Sequence, residues 1–210
     1  MTGRYVVTPR RPDSEAVAVT EDESVRVVVA LDRGVLVDAE PERAEELAAA
    51  GLRVKELPDP HTLRLFDYSI DTRDDVVPDL PESLQLPPPE TEADGEASAA
   101  DVNHLVQLVG PAQESWLSAI AERGVRLVEA VSPLAYYARS DAATVAALRD
   151  LPYVAWTGRL EPAYKVNPVL LTGLAEQKQP GLGEVEALDI GVLADGDVDA
   201  VVALVERLGG

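Results

Sequence analysis

The 210-residue chain has no cysteine, three lysines (Lys55, Lys165 and Lys178), two histidines, one phenylalanine and one methionine. Without thiols there is no disulfide framework and no thiolate metal site, so the fold must stand on packing, and the redox compartment is left open. No apolar run approaches the ~18 residues of a membrane span, which argues against a membrane partner. The start, Met1-Thr-Gly-Arg-Tyr, lacks the apolar core of about 7 to 15 residues of a signal peptide. As written, the chain reads as cytoplasmic, or as secreted if a leader has been trimmed. Bases are scarce as well: 18 against 38 acids, for a net charge of −20. Such a surface repels phosphate backbones, so nucleic acid is not an expected partner. It suits a high-salt host, where ions screen the self-repulsion, and equally a merely acidic protein.

Chemistry is scarce too. A nucleophile–imidazole–carboxylate constellation needs a histidine; His61 sits in a Pro-Asp-Pro turn and His104 opens a strand. No serine lies in a G-x-S-x-G elbow and no phosphate loop is present. Gly181-Leu-Gly183 lacks the third glycine of a dinucleotide site. Asp195, Asp197, Asp199 and Glu206 copy the acidic positions of a calcium loop, but Ala200 stands where the sharp turn needs glycine. Asp195 to Asp199 is therefore expected to cap a helix and complement its dipole. No enzyme activity, cofactor or metal is expected.

Composition divides the chain. Between Arg73 and Arg123 there is no lysine or arginine, and residues 76–102 form an acidic, Pro-rich stretch that cannot bury a core and reads as a linker. Residues 166–185, broken by Pro180, Gly181 and Gly183, read as a second linker. The resulting blocks are an irregular α+β unit (1–75), a regular unit (103–165) and a partial third unit of a strand and a helix (186–210). Each block carries an amphipathic helix ending in glycine: Gly51, Gly124 and Gly209. The first two continue into strands, so the third is expected to be a fragment. A left-handed C-cap is the natural role of those glycines, and three occurrences favour a repeat.

In the middle block the order reads strand (His104–Val109), helix opened by Pro111, strand (Val125–Val131), strand (Leu134–Arg139), helix capped by Asp141, strand (Tyr153–Thr157). The fold class is α+β: tandem ferredoxin-like β-α-β-β-α-β units with antiparallel sheets, the third incomplete. Leu105, Trp116, Leu117, Ile120, Val128, Val145, Leu148 and Val154 are the expected core. With both helices on one sheet face, the other is expected to be free to bind. In the first block, Arg4–Thr8, Val25–Leu31, Val35–Asp38, Leu52–Leu57 and Thr62–Tyr68 are strand candidates around one helix at Glu42.

Four stretches carry a resemblance: His104-Leu-Val-Gln-Leu-Val-Gly-Pro111; Trp116 with Ile120 and Gly124; Leu148-Arg-Asp-Leu-Pro-Tyr-Val154; and Trp156-Thr-Gly-Arg-Leu-Glu-Pro-Ala-Tyr-Lys165. Together with Leu134–Arg139 they resemble the N-terminal propeptide domains that precede the catalytic domain of some bacterial and archaeal subtilisin-like serine peptidases. The resemblance implies an intramolecular chaperone or inhibitor whose open sheet face docks on the peptidase, with residues 161–167 as a tail in its cleft. Trp156, Glu161, Pro162, Tyr164 and Lys165 are the implied partner-binding residues. The peptidase's own Asp, His and Ser motifs are missing, and the tail runs on into another unit. The alternative is a stand-alone protein-binding adaptor or a homo-oligomeric scaffold.

Overall fold

The computed structural model describes residues 2–10, 19, 22–87, 102–132, 134–170 and 189–209. In the first unit, β1 (Gly3–Pro9), β2 (Arg26–Leu31), β3 (Gly34–Ala39) and β4 (Leu52–Glu56) form one antiparallel sheet in the order β2-β3-β1-β4. Helix α1 (Pro41–Ala49) crosses from β3 to β4, two strands that run parallel on either side of β1, and buries Ala44 and Leu47. These residues pack on the inward positions of alternating strands: Tyr5 and Val7 from β1, and Val35, Val37 and Ala39 from β3. On the opposite face Arg4 donates to Asp38 at 2.8 Å, and Arg26 pairs with the same carboxylate. Burial raises the Asp38 pKa, but the two guanidiniums outweigh it and hold the carboxyl below its ordinary value.

The second unit repeats that strand order. Strands β7 (Val102–Leu108), β8 (Arg126–Ser132), β9 (Ala135–Ser140) and β10 (Val154–Arg159) form an antiparallel sheet in the order β10-β7-β9-β8. Helix α2 (Glu114–Glu122) lies between β7 and β8, and α3 (Ala142–Ala147) between β9 and β10. Asp141 caps α3 as expected, accepting from the Thr144 N–H at 2.8 Å. Pro111 does not open α2, which starts three residues later. Gln113 instead folds back on the carbonyls of Pro111 and Ala112 and becomes the N-cap residue. The helices bury Trp116, Ile120, Val145 and Leu148 against Val106, Leu108, Ala138 and Val154, and Trp116 stacks on Tyr153 at 5.2 Å. Leu117 and Val128, two of the expected core residues, are only half-buried. Val128 lies at a register shift in edge strand β8, where a bulge breaks the alternation. The glycines that close α1, α2 and the last helix have φ of +95°, +82° and +92°, so all three end in the left-handed region.

The two units share a core. Leu36 from β3 joins the cluster around Leu108, Trp116 and Ile120, and a Cβ on Gly110 would come within 2.9 Å of its Cδ2. The Gln113 Oε1 accepts from the Asp32 N–H at 3.0 Å.

Three further expectations are corrected. The expected strand Thr62–Tyr68 is a hairpin, β5 (Thr62–Leu65) and β6 (Tyr68–Asp71), closed by Phe66 and Asp67 with Phe66 at φ +52°. Its apolar side, Leu63, Leu65 and Ile70, lies on Leu105, Ala135 and Trp156, so the sheet face expected to be open is covered. In the third block the helix is present as α4 (Val198–Leu208), but residues 189–197 form no strand, since no described strand pairs with them. Residues 186–188 of that block, residues 171–185 of the second expected linker and residues 88–101 of the first lie outside the described residues.

Candidate functional site

The residues singled out for partner binding meet at one edge of the second sheet. Trp156 projects from β10 onto the face opposite the helices. Its indole lies over Gly158, where an added Cβ would run into the ring, which gives the W-x-G spacing a steric reason. After β10, Glu161 leads into a 3-10 turn, Pro162–Lys165, opened by Pro162. The turn buries Ala163 and Tyr164 and leaves Lys165 exposed. Tyr164 meets Tyr68 of the hairpin edge-on at 5.7 Å. Burial, helped by the Glu161 carboxylate, pushes its hydroxyl pKa up to about 12.

Trp156 and Tyr164 are therefore not presented to solvent; each is under 10% exposed. Part of the expected linker covers them. The Trp156 indole N–H donates to Asp75 Oδ1 at 2.5 Å, and Arg159 donates to the Pro87 carbonyl at 2.8 Å. The Glu161 carboxylate accepts from the Leu86 N–H at 2.5 Å. Leu80 packs into the Trp156–Tyr164 cluster. Between this segment and β10 remains a cleft of about 670 Å³, whose walls include Val77, Leu86, Arg149 and Gly158. Arg149 caps the sheet edge there, donating to the Thr157 hydroxyl at 2.8 Å and to the Thr157 carbonyl. Residues 161–165 are thus not a free tail: their turn packs on the unit that precedes it.

A second feature has no counterpart among the expected binding residues. The Asp195 carboxylate bridges Arg126 at 2.5 Å and Arg139 at 3.0 Å, which fastens the turn before α4 to strands β8 and β9. Asp197 caps the helix, accepting from the Ala200 N–H at 2.9 Å. The acidic run is thus a cap and an anchor, as its helix-capping role implied. Helix α4 itself buries none of its residues, and Val198, Val202, Leu204 and Leu208 are between 43% and 78% exposed. On the neighbouring surface, Leu117, Ala121, Val125, Leu127, Val128 and Tyr136 line an apolar groove between α2 and edge strand β8.

The histidines lie apart from both features. The His61 carbonyl receives the Thr72 N–H and hydroxyl, each at 2.8 Å. His104 is buried on the helix side of β7, its Nε2 has no hydrogen bond, and burial lowers its pKa. No helix among the described residues is long and apolar enough to cross a membrane.

A family model described as a domain of unknown function, DUF8729, matches residues 64–161. The matched stretch runs from the β5–β6 hairpin through the segment held over Trp156 to Glu161, so it takes in the covered sheet together with its cover. No curated protein and no solved structure matches the chain.

Proposed function

We propose that the chain is a non-catalytic protein-binding module of tandem ferredoxin-like units, whose partner is a subtilisin-like peptidase domain in cis or in trans. The strand order shared by the two four-stranded sheets supports the repeat. The observation that carries the binding reading is helix α4: it is held at a fixed place by Asp195, yet its apolar stripe of Val198, Val201, Val202, Val205 and Leu208 is exposed or at most half-buried. An amphipathic helix so presented suits docking into a partner's groove. The peptidase as partner comes from the resemblance of residues 104–165, and the role there is chaperone or inhibitor. Contact through the second sheet's non-helix face would first require the β5–β6 hairpin to leave, so α4 is the docking element.

The test is the intact chain titrated into a subtilisin-like peptidase domain during cleavage of a peptide substrate. Slowed cleavage by wild type, relieved by Val198→Asp with Val202→Asp, is expected; a folded wild-type chain that neither slows the peptidase nor binds it removes the peptidase from the reading. The second reading, a homo-oligomeric adaptor, is favoured by the same α4 stripe lying beside the apolar α2–β8 groove of an identical surface. Sedimentation of the chain alone decides it: a concentration-dependent dimer abolished by the same two substitutions supports the scaffold, and a monomer at all concentrations rejects it.

A further inference from the structure

The residues expected to grip a partner are gripping the chain itself. Asp75 to Pro87 is a compact loop with both ends fastened near one point of β10: Asp75 to the Trp156 indole, Leu86 to the Glu161 carboxylate and Pro87 to Arg159. Only short elements lie within it, an isolated β-bridge of Val76 to Asp71 at its start and a 3-10 turn at Glu82–Leu84, and the rest is extended or bent backbone. Two of the four fastenings use main-chain groups of the loop, the Leu86 N–H and the Pro87 carbonyl, which any extended peptide offers. The other two are a carboxylate and a half-buried leucine, Leu80. The loop does not fill its seat, since the cleft of about 670 Å³ stays open between it and β10. That is a volume on the scale of ligand sites.

We infer that Trp156, Arg159, Glu161 and Tyr164 form a groove for an extended, acidic peptide with leucine and proline near its end, and that residues 75–87 occupy it in cis. The groove takes a carboxylate at the indole N–H, a leucine against Trp156 and Tyr164, and a Leu-Pro pair whose main-chain N–H and carbonyl meet Glu161 and Arg159. Proline suits the last position because its ring fixes an extended backbone and only its carbonyl is needed there. A partner segment of this chemistry competes with the loop, whose tether acts as a local concentration in the millimolar range. The inference rests on the protein-binding reading for the existence of an outside competitor. Its test uses only the chain's own peptide, so the two fail separately.

A fluorescent synthetic peptide of residues 74–87 is titrated into the full-length chain and followed by anisotropy. Wild type, its groove filled, should bind weakly. A chain carrying Leu80→Asp and Leu86→Asp in the loop should bind the wild-type peptide at least ~10-fold more tightly, the tethered competitor having been removed. Adding Trp156→Phe or Glu161→Gln to that open chain should reverse the gain. An open chain that keeps wild-type circular dichroism and β7 amide protection yet gains no affinity overturns the inference. If the open chain does not fold, amide exchange of wild type decides. Amides of residues 76–87 should exchange about two orders of magnitude faster than those of β7, as a separately opening segment does. Equal rates would make the loop an inseparable part of the fold and overturn the inference.

Discussion

Replacing Ile70 by alanine tests whether the hairpin and the second sheet form one core. Ile70 is fully buried and sits on β6 among Leu63, Leu65, Leu105, Ala135 and Trp156. The substitution removes about three carbons' worth of buried surface, ~2.4 kcal/mol at ~0.8 kcal/mol per methylene. Incomplete collapse of the cavity brings the loss to about 3 to 4 kcal/mol. For a chain of this size that is a drop of roughly 10 °C in Tm. Both tryptophans, Trp116 and Trp156, belong to the second unit. Urea unfolding followed by tryptophan emission therefore reports on that unit, although the substitution lies in the block before it. The expected result is an earlier midpoint at unchanged slope. A double-mutant cycle of Ile70→Ala with Leu105→Ala should add a coupling of about 0.5 kcal/mol or more, as residues in contact show. If the tryptophan-reported midpoint moves by less than about 0.5 kcal/mol and the cycle is additive within error, the hairpin does not cover the sheet.

Trp116→Ala should destabilise the chain by about 3 to 5 kcal/mol, because the indole is buried and stacked on Tyr153; a urea-derived loss under about 1 kcal/mol would place it on the surface. Asp141→Ala, which removes the cap of α3, should cost about 1 kcal/mol by the same measurement, and no change would mean that the Thr144 bond contributes nothing. Burial lowers the His104 pKa below its ordinary 6.5, so between the folded value and 6.5 the unfolded chain binds the extra proton. Stability is therefore complete above about pH 6.5 and declines as the pH falls below it. His104→Gln should flatten that part of the profile, and a ring titration with a midpoint at or above 6.5 would contradict the sign.

The second unit is legible in the sequence because its signals are local. Helix and strand periods alternate over residues 104–157, Asp141 announces a cap, and Gly124 marks a helix end. In the first unit the elements are legible too, Arg4–Thr8, Val25–Leu31, Val35–Asp38 and Leu52–Leu57 each falling on a strand, but their order is not, because it depends on β1 pairing with both β3 and β4, far apart in the chain. The split of residues 62–71 into a hairpin turns on Phe66 at positive φ, and a large apolar residue is a poor advertisement for a turn. The covered face was foreshadowed by side chains that were given no weight. Leu105, Ala135, Tyr137 and Trp156 all point away from the helices, and an antiparallel face left in water would be polar. Two apolar faces require two covers, and the alternation of Leu63, Leu65 and Ile70 supplies the second. The residues singled out for partner binding fall together at one edge. What the sequence could not show is that Asp75 and residues 76–87, the latter read as linker by composition, are bonded to them.

Hydrogen exchange of the intact chain, alone and saturated with the peptidase domain, tests most directly whether this is a binding module that docks through α4. Slowed exchange at residues 198–208 on binding, with the β5–β6 hairpin unchanged, is the expected result. A bound complex in which residues 198–208 exchange as they do in the free chain would contradict it.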